Sequence, residues 1–158
     1  MIASPGALAV IPARGGSKGI PAKNLQAVGG LSLVARSVQA ALASRGVERV
    51  VVSTDDDAIA TEAQAHGADV VRRPADLSGD TASSESALLH ALETLDEQGP
   101  LPARLVFLQC TSPFTSGAQI DQVLAALEDP AINSAFAVAP WHGFLWRLDG
   151  RGINHDPQ

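Results

Sequence analysis

The strongest constraint on how this chain can fold is a regular alternation of short apolar runs with helical segments. The runs typical of buried β-strands are ALAVIPA (7–13), ERVVVST (48–54), ADVVRRP (68–74), RLVFLQ (104–109) and NSAFAVAP (133–140). Helical patterns lie between or after them, over 31–44, 55–67, 84–98 and 116–129. This order predicts parallel βαβ units with right-handed crossovers. The run 104–109 is the most strand-like, which favours a central place in the sheet.

The composition limits the class of protein. With 158 residues, of which 46% are hydrophobic and 18% charged, the chain is expected to form one soluble domain with a buried core, over residues 1–158. No run reaches the roughly 18 apolar residues of a membrane span, and the first residues lack the basic region of a signal peptide. The single cysteine, Cys110, excludes an internal disulfide framework, so we expect a cytoplasmic location.

The basic residues are concentrated near the N-terminus. The net charge of −6 argues against nucleic acid as a partner. Residues 1–47 nevertheless hold five basic and no acidic residues, whereas the rest of the chain holds six basic and seventeen acidic ones. Both lysines of the chain, Lys18 and Lys23, stand with Arg14 in the segment IPARGGSKGIPAKN (11–24). This distribution predicts a small anionic ligand.

The glycines of this loop suggest how such a ligand is held. Gly15, Gly16 and Gly19 are expected to take positive φ and to turn successive backbone N–H groups toward an anion. Arg14 offers a bidentate fork to phosphate. A nucleoside triphosphate carries roughly four negative charges and needs such a concentrated positive site. The spacing matches neither a P-loop nor the dinucleotide fingerprint.

Ligands of open α/β sheets bind beyond the carboxyl ends of the strands. Three polar loops follow predicted strands here, with the sequences ARGGSKG, STDDD and QCTSP. We expect the site to be built from them. The adjacent carboxylates Asp55, Asp56 and Asp57 are more typical of a helix start, where they compensate the dipole, than of a metal site.

Four segments stand in a fixed order along the chain: IPARGGSKGIPAKNL, VVSTDD, RRPADLSGDTASS and FLQCTSP. Together they resemble the cytidylyltransferases that activate sialic and related nonulosonic acids, and the resemblance covers the chain as the N-terminal two-thirds of such an enzyme. It implies a three-layer αβα sandwich with a mostly parallel sheet, of the nucleotidyltransferase (Rossmann-like) type, with the C-terminal part missing. The implied reaction converts CTP and a nine-carbon sugar acid into CMP-sugar and pyrophosphate.

The resemblance assigns the phosphate end of the nucleotide to the first loop. Arg14 and Lys23 are the expected triphosphate ligands and the expected catalytic cations. Lys18 is expected to help hold the phosphates, and Asn24 to lie beside the ribose. The alternative for Lys18 is that it only closes the loop.

The resemblance assigns the cytosine to a second group of residues. Arg73, Ala82, Ser83 and Ser84 are expected to border the base, since serine hydroxyls and backbone amides match the polar edge of cytosine. Gln109 is expected to face the acceptor sugar, the alternative being a plain polar group at a strand end.

Two of these residues have simpler alternatives. Arg73 would equally serve as a solvated partner for Asp69 or Asp76. Ser84 would cap the helix that follows it, whether or not it contacts a nucleotide. Cys110 stands where the family usually has proline, and we expect it to be a small buried hydrophobic residue.

The resemblance also implies components that this sequence does not supply. Mg²⁺ is the expected cofactor, but its ligands are not identified in this chain. A homodimer is expected for the full-length enzyme. The aromatic residues Trp141, Phe144 and Trp146 make residues 141–158 a candidate dimerisation segment, with core packing as the alternative. Two other functions remain open: a CTP-binding fragment without turnover, and a 3-deoxy-manno-octulosonate cytidylyltransferase.

Overall fold

A computed structural model describes residues 6–17, 19–79, 82–140 and 143–153 of the chain. Four strands form its central sheet: β1 (Ala7–Pro12), β4 (Val47–Thr54), β5 (Asp69–Arg72) and β6 (Arg104–Phe107). All three pairings are parallel, and the strand order is β5–β4–β1–β6. A small antiparallel ribbon is formed by β2 (Ala27–Val28) and β3 (Leu31–Ser32). The predicted parallel sheet is therefore confirmed.

Helices cover both faces of the sheet, as α1 (Leu33–Leu42), α2 (Asp57–Ala65), α3 (Ser84–Asp96) and α4 (Gly117–Ala126). The alternation of side chains along β1 separates two core regions. Ala9 and Ile11 pack with α1 and α2, whereas Leu8 and Val10 pack with Ala91 of α3. The helix α4 adds a third region beside α1 on the first face. The expected three-layer αβα sandwich is confirmed.

Each helix begins at a side chain that accepts hydrogen bonds from backbone N–H groups of the first turn. The caps are Ser32, Asp56, Ser83 and Ser116. The prediction that Ser84 caps the third helix is wrong, because Ser83 adopts the extended conformation of a cap and accepts from Ser86 N. Ser84 is instead the first residue of the helix.

The position predicted for the strand 104–109 is also wrong. The central strand is β1, which pairs with both β4 and β6, whereas β6 pairs only with β1 among the described residues. One side of β6 is apolar because it packs on the core, and its outer residues Leu105 and Phe107 each remain 39% exposed. An apolar run thus predicts a strand, and it does not predict the position of that strand in the sheet.

Residues 133–140 were expected to form a strand, and they do not. Ala135, Phe136 and Val138 lie across an apolar groove of about 750 Å³ from β6. A strand needs a neighbour about 4.8 Å away to satisfy its backbone groups, and residues 133–140 pair with no strand among the described residues. Among the described residues, no helix is long and apolar enough to cross a membrane.

Candidate functional site

A cavity of about 420 Å³ opens at the edge of the sheet where the parallel strands end. Loops that follow β1, β5 and β6 form its walls together with the first turn of α3. All of the predicted site residues within the described ranges line it: Arg14, Lys23, Asn24, Arg73, Ala82, Ser83, Ser84 and Gln109. Lys18 lies outside the described residues. The structure thus brings the predicted residues together, and their individual roles stay predictions.

The loop after β1 is held by a buried asparagine. Asn24 is 6% exposed, and its side-chain amide donates a hydrogen bond to the backbone carbonyl oxygen of Arg14 at 3.0 Å. It sits in a single 3₁₀ turn, Lys23–Leu25, that follows Ala22, whose φ of 47° is left-handed. This contact brings the start and the end of the loop together, so that Arg14 and Lys23 line the same cavity.

Arg14 connects two loops. Its guanidinium donates a hydrogen bond to the backbone carbonyl oxygen of Gly79 at 2.9 Å, across 65 positions of sequence. The contact is exposed, so the guanidinium lies at the rim of the cavity rather than in its floor. A rim position leaves donors of this guanidinium within reach of a ligand that enters from solvent.

The conformation predicted for the loop glycines is wrong at the two positions that can be checked fully. Neither Gly15 nor Gly16 has a positive φ. The backbone N–H of Gly15 is also not free to join an anion nest, because it donates to Oδ1 of Asp55 at 3.1 Å. Close packing explains Gly15 instead, since an added Cβ would stand 2.6 Å from Oδ2 of Asp56.

Arg73 is a buried arginine on the cavity wall. Only 8% of the residue is exposed, and its Nη2 donates to the backbone carbonyl oxygen of Ser53 at 3.3 Å. Its Nε is buried without a hydrogen-bond partner among the described residues. Burial lowers the pKa of this guanidinium, while the nearby negative charge of Asp55 opposes that shift. A buried cation with an unused donor is costly unless a ligand completes it. The alternative of a solvated partner for Asp69 or Asp76 does not fit this burial.

The start of α3 also lines the cavity. Ser83 and Ser84 lie at the first turn of the helix, where backbone N–H groups have no partner within the helix. The Ser83 hydroxyl oxygen accepts one of these, from Ser86 at 3.1 Å. Both serines are exposed and line the cavity. The site therefore presents a helix N-terminus with hydroxyl donors to whatever occupies it.

The loop after β6 closes the third side. Thr111 donates from its hydroxyl to Oε1 of Gln109 at 3.4 Å, and both residues line the cavity. Between them Cys110 is 3% exposed, as expected for a small buried residue. Burial raises the pKa of its thiol to about 11, against a smaller opposing effect of a hydrogen bond with Ser37. The thiol is therefore protonated near pH 7 and is not a nucleophile.

Comparison with known proteins decides the family. Residues 8–143 match the family model of the cytidylyltransferases. The chain belongs to the cytidylyltransferase family.

Relatives with different sugar substrates match this member of the family to a similar degree. It is 34% identical to N-acylneuraminate cytidylyltransferase of Oncorhynchus mykiss, over 94% of this chain and 35% of the relative. It is 37% identical to 3-deoxy-manno-octulosonate cytidylyltransferase of Rhodopseudomonas palustris, over 88% of this chain and 54% of the relative. The chain thus spans about a third to a half of the length of these relatives.

A solved structure supports the same fold. CMP:2-keto-3-deoxy-manno-octonic acid synthetase complexed with CTP superimposes with a TM-score of 0.68 at 26% identity, over 80% of this chain and 49% of that one. A nucleotidyl transferase from Methanothermobacter thermautotroptrophicus gives a TM-score of 0.62 at 19% identity, which shows likeness of fold alone.

Some residues of the cavity in this cytidylyltransferase were not predicted from the sequence. They are Pro12, Ser17, Phe107, Cys110 and Thr111. Each lies within a few positions of a predicted residue on the loops after β1 or β6. The sequence could indicate these residues only as members of their loops, because every residue that follows a strand at the carboxyl edge of the sheet is a candidate to line the site.

The three adjacent aspartates do not share a metal site. Asp55 accepts from Gly15, Asp56 caps α2, and Asp57 forms an ion pair with Arg72 at 2.7 Å. No group of three or more histidine, cysteine, aspartate or glutamate side chains suited to a metal occurs within the described ranges. The expected use of these carboxylates at a helix start is confirmed for Asp56 and Asp57.

The aromatic segment lies apart from the core. Phe144 is 65% exposed and Trp146 52% exposed, and Trp146 forms an isolated antiparallel bridge with Gly152. Trp141 lies outside the described residues. Ordinary core packing, the alternative considered for this segment, is therefore excluded for Phe144 and Trp146. A role in dimerisation stays a prediction.

Proposed function

We propose that the cavity binds CTP and that the protein transfers a cytidylyl group to a nonulosonic (sialic-type) acid, which yields CMP-sugar and pyrophosphate. One observation carries this proposal: residues that the family motifs associate with CTP come from separate parts of the sequence and line a single cavity. Its volume of about 420 Å³ is typical of sites for small ligands. The family assignment over residues 8–143 supports the same conclusion.

The first loop suits the triphosphate. Arg14 and Lys23 line the same cavity, and residues 1–47 hold no acidic side chain. A triphosphate carries roughly four negative charges, so two cations on one wall lower the cost of its approach. Lys18 belongs to this proposal as a third cation.

The residues expected at the cytosine offer matching hydrogen-bond groups. The exocyclic amine of cytosine donates, whereas its O2 and N3 accept hydrogen bonds. Arg73 offers a buried N–H donor that has no partner within the described ranges, and the first turn of α3 offers backbone N–H groups beside the hydroxyls of Ser83 and Ser84. Asn24 is already engaged by the carbonyl oxygen of Arg14 through its N–H, so its part beside the ribose would use its remaining polar atoms.

The proposed reaction is an in-line substitution at the α-phosphorus. The anomeric hydroxyl oxygen of the sugar acid forms a bond to that phosphorus, and its proton passes to solvent. The bond between the α-phosphorus and the oxygen that bridges to the β-phosphorus breaks, so that pyrophosphate leaves. Arg14 and Lys23 stabilise the charge that collects on the leaving pyrophosphate. Gln109, which lines both the cavity and the neighbouring groove, would orient the sugar.

Mg²⁺ remains an expectation of the family, and its ligands are not identified among the described residues. These residues contain no cluster of three or more suitable ligands. The carboxylates of Asp55, Asp56 and Asp57 are engaged elsewhere, as described above. No step of the proposed reaction is therefore assigned to the metal.

A second substrate is supported by the comparisons. The similarity to 3-deoxy-manno-octulosonate cytidylyltransferase is as high as that to the N-acylneuraminate enzymes. The motifs GGSKGIPAKN and DTASS favour the sialic-type acid. A transfer assay with CTP and each sugar acid decides between them, with pyrophosphate release as the readout. CTP binding without release from any acid would identify the chain as a nucleotide-binding module.

A titration calorimetry experiment tests the nucleotide site. CTP is expected to bind more tightly than UTP or ATP, and Arg14→Ala and Lys23→Ala are each expected to weaken CTP binding about tenfold or more. Arg45→Ala is the matched control, because it also removes one positive charge, from a side chain that is 93% exposed. Equal binding of the three nucleotides would refute the cytosine pocket. Unchanged affinity in the Arg14 variant would refute the phosphate loop.

The dimer and the cytoplasmic location belong to the same proposal. Phe144, Trp146 and Leu148 are exposed apolar residues of one segment, and exposed apolar residues favour an interface. Sedimentation of Phe144→Ser is expected to show a shift from dimer to monomer. Glu97→Ser, which changes an exposed residue of another surface, is the control. A monomeric wild-type protein would refute this part of the proposal.

A further inference from the structure

The peptide group between Arg14 and Gly15 is fixed at both of its polar atoms by side chains from elsewhere in the fold. Its carbonyl oxygen, on Arg14, accepts from the side-chain amide of Asn24 at 3.0 Å. Its N–H, on Gly15, donates to Oδ1 of Asp55 at 3.1 Å. A peptide group with two such partners has a defined orientation, which fixes ψ of Arg14 and φ of Gly15. The direction in which the Arg14 side chain leaves the backbone is thereby set.

We propose that Asp55 is a positioning residue for the triphosphate loop: through the N–H of Gly15 it sets the orientation in which Arg14 meets the phosphates. This inference rests on the proposed function and deepens it. Asp55 does not line the cavity, so it acts through the loop and not by contact with the nucleotide.

The neighbouring carboxylates have other contacts. Asp56 caps α2 by accepting from Ala58 and Ile59, and Asp57 pairs with Arg72. Only Asp55 of the three has a hydrogen bond to the loop among the described contacts. Compensation of the helix dipole accounts for Asp56 and Asp57. It does not account for the hydrogen bond that Asp55 accepts from Gly15.

A carboxylate near a site for a polyanion would be unfavourable if it acted by charge alone. Its repulsion of phosphate weakens binding, so its presence requires a compensating contribution. Two are visible. The hydrogen bond orders the Arg14–Gly15 peptide group, and the negative charge supports the buried guanidinium of Arg73. Hydrogen bond and charge can be separated by substitution, because asparagine keeps the acceptor oxygen and removes the charge.

The test compares Asp55→Ala with Asp55→Asn by calorimetry, with CTP and CMP as ligands. Asp55→Ala is expected to weaken CTP binding about tenfold and to change CMP binding less than about twofold, because CMP lacks the β- and γ-phosphates. Asp55→Asn is expected to keep CTP affinity within about threefold of wild type. Asp57→Asn, which removes the same charge two positions along the chain, is the control and is expected to behave as wild type.

Hydrogen exchange of residues 13–17 gives a second readout that needs no ligand. Exchange is expected to be faster in Asp55→Ala and unchanged in Asp55→Asn. Tighter CTP binding in both variants would show that Asp55 acts by charge alone, which overturns the inference. Equal weakening of CTP and CMP, with a lower unfolding temperature, would show a general structural role and overturn it as well.

The two proposals fail in different ways. A wild-type protein that does not bind CTP overturns the proposed function, and the inference about Asp55 with it. A wild-type protein that binds CTP while Asp55→Ala binds it equally well overturns the inference alone.

Discussion

Gly15 lies directly against the side chain of Asp56. A Cβ atom added to Gly15 would stand 2.6 Å from Oδ2 and 2.9 Å from Cβ of Asp56. The same atom added to Gly16 would have no neighbour within 4 Å. The Asp56 side chain cannot easily move away, because it caps α2. The two adjacent glycines thus differ in the room around them: packing requires a glycine at position 15 and not at position 16.

Gly15→Ala is therefore expected to lower the free energy of unfolding by about 1–3 kcal/mol, the usual cost of overpacking. Gly16→Ala is expected to change it by less than about 0.5 kcal/mol. Urea unfolding of the two variants beside the wild type measures the difference. Equal destabilisation would contradict the packing argument, since the two substitutions add the same methyl group at neighbouring positions.

The sequence was sufficient to predict most elements of the sheet and its helices, because periodicity and caps are local features. Ser116 illustrates this: the helical pattern predicted over 116–129 begins at Ser116, and Ser116 caps α4 in the structure. The order of the strands across the sheet could not be predicted from the sequence. The edge position of β6 and the absence of a ladder at 133–140 depend on which segments become neighbours in space, and no local pattern records that.

The site was predictable as a set of residues and not as a set of contacts. Motifs placed Arg14, Asn24 and Arg73 in one site, and all three line the cavity. The bond from Arg14 to Gly79 spans 65 positions, and that from Gly15 to Asp55 spans 40. Such pairs arise only when the sheet brings its loops together. The expected positive φ at Gly15 failed for this reason, since a packing contact decides that position.

Asn24 and Gln26 provide a matched pair of loop amides. Each donates from its side chain to a backbone carbonyl oxygen at 3.0 Å, Asn24 to Arg14 and Gln26 to Pro21. Asn24 is buried, whereas Gln26 is exposed. Loss of the buried donor leaves a carbonyl oxygen without its partner, which costs about 1–3 kcal/mol.

Asn24→Ala is accordingly expected to lower the free energy of unfolding by that amount and to weaken CTP binding. Gln26→Ala is expected to change either quantity little, because water replaces an exposed hydrogen bond. Chemical unfolding and calorimetry of both variants test this. A larger loss of stability in the Gln26 variant would contradict the assignment of Asn24 as the residue that holds the loop.

Arg73 is expected to lower the stability of the fold and to strengthen CTP binding. Its guanidinium is buried, and its Nε has no hydrogen-bond partner in the part of the chain that the structure describes. Burial lowers its pKa and so disfavours the charged form. Arg73→Met keeps much of the side-chain volume and removes the charge. We expect an unchanged or higher unfolding temperature with at least a tenfold loss of CTP affinity.

Arg72→Met is the control for this substitution, because Arg72 is exposed and pairs with Asp57 at the surface. It is expected to leave CTP affinity unchanged and stability nearly so. Differential scanning fluorimetry and calorimetry measure the two quantities. A strong loss of stability in Arg73→Met, with CTP affinity retained, would assign Arg73 to the architecture of the loop and not to the nucleotide.

Asp121 joins α4 to the turn that follows α1. Its carboxylate accepts from the Ser44 hydroxyl at 2.6 Å and from the Gly46 backbone N–H at 3.1 Å, and it lies 3.4 Å from Nε of Arg45. These contacts lower the pKa of Asp121, with the Ser44 hydrogen bond as the largest cause. A group with a lowered pKa in the folded state stabilises the fold at pH values above its unfolded pKa of about 3.9, and this stabilisation is lost as the pH falls through the folded pKa.

Asp121→Asn is expected to be less stable than the wild type by a constant margin between about pH 5 and pH 7, and the margin is expected to narrow below about pH 4 as the wild-type carboxylate becomes protonated. Urea unfolding at several pH values measures the margin. Ser44→Ala should remove much of the pH-dependent part of the free energy of unfolding when Asp121 is present. It should remove none of it in the Asp121→Asn background, because the side chain at position 121 is then uncharged at every pH. A margin that stays constant down to pH 3 would contradict the assignment, since it would show that the carboxylate charge contributes nothing to the fold.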